Sequence, residues 1–131
     1  MPARRQIVID VVLWIFALFL AWVFSRQGIA KFSDTSGWAR AFRFWHFSRS
    51  FRILIGVMEV SAALLLLTRR TAFVGATLIV AVMLGAMATH AYWGQPRQAT
   101  SEVLPLLLAT AVALGRYRTF FLTRAARAAN E

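Results

Sequence analysis

GVMEVSAALLLL, residues Gly56 to Leu67, is a run of small and aliphatic residues with one carboxylate, Glu59, set inside it. A helix that crosses a bilayer needs about 20 apolar residues. This run comes close to that length only when it is extended back through Ile53 to Phe51. A carboxylate at mid-membrane costs about 3 kcal/mol on insertion scales, while the Leu, Ile and Val residues of Ile53–Leu67 each return roughly 0.5 kcal/mol. There are nine of them, so insertion survives the charge by a narrow margin. One helical turn from Glu59 lie Ile55, Gly56, Ala62 and Ala63. Three of these four are small, as expected of a face packed against another helix. Glu59 is therefore expected to look toward the axis of a membrane bundle, with Gly56, Ala62 and Ala63 as packing positions.

The bulk composition agrees. Of the 131 residues, 60% are hydrophobic, whereas about 45–50% is usual for a soluble domain. Lys and Arg total 15 against 5 Asp and Glu, a formal charge of +10. In a soluble chain that excess would point to nucleic acid. Here the basic residues sit mostly at the ends of apolar runs, the pattern of charges that flank membrane spans, so the expected partner is a lipid bilayer and no nucleic acid. Cysteine is absent, which removes disulfides, thiolate metal sites, iron–sulfur clusters and cysteine nucleophiles. No metal site is expected. No repeat or linker divides the chain, so residues 1–131 are read as one domain.

Working outward from Glu59, four spans are expected at about 7–29, 51–67, 72–93 and 102–122. The third is the cleanest. The fourth is uninterrupted only from Val103 to Leu114 and must borrow Tyr117, Phe120 and Phe121, with Arg116 and Arg118 snorkelling. Pro105 falls in its first turn, and Thr100 or Ser101 is placed to cap it. Arg4 and Arg5 ahead of an apolar run resemble a signal peptide. The run is too long, too aromatic and carries Asp10, so a retained anchor is expected. Between the first two spans, residues 36–50 put Trp38, Phe42 and Trp45 on one stripe with Arg40 and Arg43 opposite. That is the pattern of an amphipathic helix in the membrane interface, its rings in the headgroup boundary. Such a helix either anchors only or forms a lid. The expected fold is thus all-α: an integral membrane four-helix bundle with an interfacial helix between spans 1 and 2.

Four spans put both termini on one side, with eight basic residues against seven on the other. If Arg26 and Lys31 belong to a buried site, the balance favours cytoplasmic termini. By depth alone, Lys31 at the end of the first span, Glu59, His90 near the end of the third and His46 in the loop fall in one half of the bundle. Lys31 has a stem long enough to reach down to Glu59. Each residue also has a plainer role open to it: Lys31 as a snorkelling cation, His90 as an interfacial residue beside Tyr92 and Trp93, Glu59 as a structural ion pair. Met83 and Met87, on the helix face of His90, suit core filling or an apolar pocket. Asp10 lies at the opposite end, near Arg69, Arg70 and Arg116, and a structural pairing is expected there. Catalytic patterns are poor. There is no HxxxH, Gly-rich phosphate loop, CxxC or acid pair, and His90 and His46 do not match as haem ligands. The chain by itself is not expected to run redox chemistry.

GIAKF (Gly28–Phe32) closing the first span, Gly-x-x-Glu in the second, GATLIVAVMLGAMATHA (Gly75–Ala91) in the third and LPLLLATAVAL before a basic tail resemble the DoxX-like family of small four-helix bacterial membrane proteins. The resemblance covers nearly the whole chain and makes Gly28, Lys31, Gly56, Glu59 and His90 the matching positions. Arg26-Gln27 departs from the small or apolar residues expected before Gly28. The family name is associated with quinone-linked sulfur or terminal-oxidase complexes, and distant relatives act in membrane assembly. The resemblance therefore implies an inner-membrane accessory or assembly subunit, working beside other membrane or redox subunits. Its polar site, Lys31, Glu59, His90 and His46, would hold a lipophilic molecule, and the chain alone would bind no cofactor. The competing expectation is a redox-complex subunit that touches quinone. Proton or solute transfer through Glu59 is disfavoured, because one carboxylate offers no relay across the other half of the bundle.

Overall fold

The computed structural model describes residues 2–131. They form six helices: α1 (Pro2–Ala30), α2 (Gly37–Phe44), α3 (Arg49–Leu65), α4 (Ala72–Tyr92), α5 (Pro96–Ser101) and α6 (Val103–Ala129), with no strand among the described residues. Three stretches are long and apolar enough to cross a membrane: Ala3–Ala30, Ala72–Tyr92, and Pro96–Ala129, which joins α5 and α6. The remaining expected span corresponds to α3, whose 17 residues extend about 26 Å at 1.5 Å per residue.

α1 packs against α3 and α6, and α4 packs against the same two, so the long helices touch in a closed cycle. Small residues set the spacing. A Cβ on Gly28 would lie 2.9 Å from the Gly56 carbonyl oxygen, and one on Gly75 would lie 2.7 Å from that of Ala62. α1–α3 and α3–α4 thus approach at distances that only glycine permits. Ala62, Ala63, Ala76 and Ala109 continue the close packing inside, around Leu20, Phe24, Leu66 and Ile79. The outward faces are apolar as well. Ile7, Leu18 and Trp22 on α1, Leu54, Val57 and Leu64 on α3, and Leu104, Leu107 and Leu114 on α6 are all exposed. So broad an apolar exterior is unstable in water and is satisfied by lipid.

The segments between helices depart from expectation in two ways. The segment expected at 36–50 is helical only over Gly37–Phe44, with Ser36 as N-cap accepting from the Ala39 amide at 3.2 Å. Its ring face is turned to protein rather than left to the headgroup boundary: Phe42 and Trp45 are 6% and 7% exposed. Gly94 (φ +68°) stops α4, the Gln95 amide donates back to the His90 carbonyl at 2.8 Å, and Pro96 opens α5. This left-handed glycine with a six-to-one hydrogen bond is a Schellman stop. Finally, Thr100 and Ser101 do not cap the last helix. Both lie inside α5, their hydroxyls bonded to Arg97 and Gln98 carbonyls, and Glu102 occupies the cap position without a side-chain bond.

Candidate functional site

Gly28 and Gly56 bring α1 and α3 together, and the consequence is electrostatic. A Cβ on Gly56 would lie 3.1 Å from Lys31 Cβ, so the bare glycine surface is what the Lys31 stem runs across. The stem carries Nζ to the residue one turn along α3, where it donates to Glu59 Oε1 at 3.1 Å and stands 2.8 Å from Oε2. Both residues are 2% exposed. Both carboxylate oxygens of Glu59 thus face the one ammonium, Oε2 as a close ionic contact rather than an aligned hydrogen bond. The ammonium also sits 3.7 Å from the centre of the Trp38 ring, a cation–π contact that α2 delivers from above.

A second cluster joins at the end of α4. The Schellman stop folds Gln95 back over His90. Its side-chain oxygen, Oε1, lies 2.9 Å from His90 Nδ1 and 3.1 Å from Trp45 Nε1. Across the ring, His90 Nε2 faces Glu102 Oε1 at 3.6 Å. Trp45 stacks edge-on against the imidazole, 5.0 Å between centres.

The two clusters share one cavity of about 210 Å³. Lys31, Glu59, His90 and Glu102 line its polar part. Trp38, Phe42, Trp45 and Phe47 cover it, and Ile55, Met58, Val82 and Met83 form apolar walls. Among its lining residues Phe47, Phe51, Ala81 and Gly85 are exposed, and Phe51, Ala81 and Gly85 place an opening on the outer side of the bundle between α3 and α4. A Cβ on Gly85 would meet nothing within 4 Å. Gln27, half of the Arg26-Gln27 departure, contributes an amide to the lining, whereas Arg26 turns outward and lies 5.1 Å over Trp22.

A latch holds the cover. Arg52, 3% exposed, donates from Nε to the Lys31 carbonyl at 2.9 Å and from Nη2 to Asp34 at 2.5 Å, while Arg49 Nε reaches the same carboxylate at 2.8 Å. The two guanidinium groups, Arg49 first, hold the Asp34 carboxyl below its ordinary value of 3.8.

Lys31, Glu59 and His90 therefore line one cavity, and His46 does not. His46 is exposed and adopts φ +60°. It occupies the left-handed position of another Schellman stop, in which its amide bonds to Arg43 and the Phe47 amide bonds to Phe42. The chain reversal there throws the imidazole outward beside Trp93, at 5.4 Å, and lays Phe47 against Phe42, 5.8 Å between ring centres. Met83 lines the cavity and Met87 does not. Gly28, Gly56, Ala62 and Ala63 occupy packing positions, with Ala62 and Ala63 1% and 3% exposed. Sequence reasoning did not single out Glu102, Gln95 or the Arg52–Asp34 latch. For Glu102 the signal was available: a lone carboxylate at the head of an apolar run, on the same side as His90. At the opposite end Asp10 binds Arg69 and, at 2.7 Å, Arg116 Nη1. Arg70 takes no part.

An all-helical chain with an apolar exterior, several membrane-length helices and ionisable groups sealed inside is a multi-pass membrane protein. The model of the DoxX-like family matches residues 15–114, and the chain belongs to that family. No curated protein and no solved structure matches it.

Proposed function

We propose that this protein is a non-catalytic accessory or assembly subunit of the bacterial inner membrane that holds a lipophilic molecule in the cavity beneath α2. The observation that carries the proposal is the cavity itself: an apolar chamber, open on the outer side of the bundle, with ionisable groups confined to one part. A pocket of that kind orients an amphiphile by its head and leaves its tail toward lipid. Ionisable groups inside a membrane domain mark functional sites by default, because keeping them there is costly. α3 crosses with the other three long helices, supported by exposed Leu54, Val57 and Leu64. α2 forms the lid, and both termini lie in the cytoplasm. Cysteines at Ala129 and Gln98 should then differ in labelling by an impermeant reagent in intact cells; equal labelling refutes four spans.

The test of function is extraction. The protein is purified from native membranes, and its lipophiles are extracted and weighed by mass spectrometry beside those of Gly85→Leu, which fills the mouth. A stoichiometric molecule present in the wild type and depleted in the variant supports the proposal; identical extracts overturn it. One observation favours a second reading, a quinone-contacting subunit of a redox complex. Trp38, Phe42 and Trp45 line the cavity beside the polar groups, and a planar head packs well among aromatic rings. A quinone in the extract, with haem- or flavin-bearing partner subunits in the purified sample, would select it.

A further inference from the structure

The polar part of the cavity has a definite hydrogen-bonding sense. Trp45 Nε1–H only donates, so the Gln95 atom it meets at 3.1 Å is the amide oxygen. That oxygen only accepts, so His90 Nδ1, 2.9 Å away, carries a hydrogen. In the neutral imidazole Nε2 is then a bare acceptor, and it faces a second acceptor, Glu102 Oε1, at 3.6 Å. That separation is beyond a hydrogen bond. Glu59 Oε2 is already served by the Lys31 ammonium, 2.8 Å away, so the acceptors left open are Glu102 Oε1 and His90 Nε2.

Donors are scarce by comparison. Lys31 is the one Lys or Arg among the described lining residues, and its ammonium is engaged by Glu59 and the Trp38 ring. Gln27 adds one amide, which offers donors and acceptors alike, the Thr89 hydroxyl is spent on the Gly85 carbonyl at 2.8 Å, and the indole N–H of Trp38 is one further donor on the lining. Lys31, Glu59 and Glu102 together carry a formal charge of −1. A carboxylate or phosphate head would meet two carboxylates and no free cation. A head with only carbonyl or ether oxygens would leave the acceptors unpaired, which is costly in a dry site.

We infer that the ligand is an uncharged amphiphile whose head carries at least one O–H or N–H donor, placed between Glu102 and His90 Nε2, with its tail leaving past Gly85 between α3 and α4. A phenol or other hydroxylated head fits; an anionic lipid and a purely acceptor head do not. The assignment rests on the cavity's being a lipophile site, and the experiment separates the two.

Binding is measured in nanodiscs with 4-nonylphenol and 4-nonylanisole, which differ by replacement of the hydroxyl hydrogen with methyl, and with decanoate. Gly85→Leu nanodiscs supply the background from partitioning. The phenol should bind above background and roughly 10- to 100-fold more tightly than the anisole, the range for a hydrogen bond to a charged or buried acceptor. Decanoate should stay at background. Phenol and anisole binding equally above background would overturn the donor assignment and leave a lipophile site standing. Decanoate binding as well as the phenol would overturn it too. All three at background would overturn the assignment and the lipophile site together. Glu102→Gln, at the mouth of α6 and outside the Lys31–Glu59 pair, adds a check in a protein expected to fold: an amide there can donate, so the phenol preference should shrink by several-fold.

Discussion

Removing Lys31 should destabilise the protein more than removing Glu59, and removing both should cost less than either sum. The pair is 2.8 Å apart with both partners 2% exposed. Breaking a buried pair by deleting one partner typically costs about 3–5 kcal/mol, whereas replacing both by apolar side chains of similar volume is often close to neutral. The two single losses differ here because the surroundings differ. Lys31→Met leaves Glu59 without its donor and Glu102 without a nearby cation. Its cost should fall in the upper part of that range. Glu59→Leu leaves an ammonium still faced by Trp38 at 3.7 Å, a contact worth about 2 kcal/mol when desolvated, so its cost should be nearer 2–3 kcal/mol. The double variant should recover at least about 2 kcal/mol relative to the sum. The assay is reversible unfolding in mixed micelles titrated with dodecyl sulfate, followed by near-ultraviolet circular dichroism of the aromatic cover. Additivity within about 0.5 kcal/mol, or a larger loss for Glu59→Leu, would refute the account of the pair and of Trp38 as its third member.

Three further outcomes follow from the geometry. Gly28→Ala and Gly56→Ala push a methyl to within 2.9 Å of a facing carbonyl oxygen and should each cost about 1–3 kcal/mol, while Gly85→Ala, which meets nothing, should stay within about 0.5 kcal/mol; the same micelle titration reads all three. His46→Gly relieves a left-handed backbone and should raise stability by up to about 1 kcal/mol with ligand retention unchanged; loss of the extracted lipophile in that variant would restore His46 to the site. Asp34 has a folded value below 3.8, so its contribution is fully present above pH 3.8 and disappears as pH falls below 3.8 through the folded value. Fluorescence of Trp38 and Trp45, with the other tryptophans replaced, should therefore show an acid transition below pH 3.8 that Asp34→Asn lacks.

The residues that make this a membrane protein were legible in the chain, because insertion depends on apolar content summed along a helix and on little else. That sum is local, and it identified α1, α4 and the α6 region directly. Glu59 was legible as an inward group for a related reason: a charge is tolerated where its neighbours are small enough to admit another helix, and Gly56, Ala62 and Ala63 stand beside it. Gly28 three residues before Lys31 and Gly56 three before Glu59 state in sequence what becomes a crossing point and an ion pair in space.

What only tertiary structure decided is azimuth and the direction of loop side chains. Depth placed His46 and His90 together; a left-handed backbone at His46 separated them by turning one imidazole outward, while Gly94 folded Gln95 back onto the other. Those reversals depend on which amides close on which carbonyls at a helix end, a property of a few dihedral angles rather than of residue type. The stripe of Trp38, Phe42 and Trp45 was visible at helical spacing, but amphipathicity does not distinguish a lipid surface from a cavity as the apolar neighbour. Packing of α2 over Lys31 made that choice. Glu102 entered the site for the same reason: it lies 12 residues beyond His90, and the short α5 between them brings its carboxylate back over the imidazole.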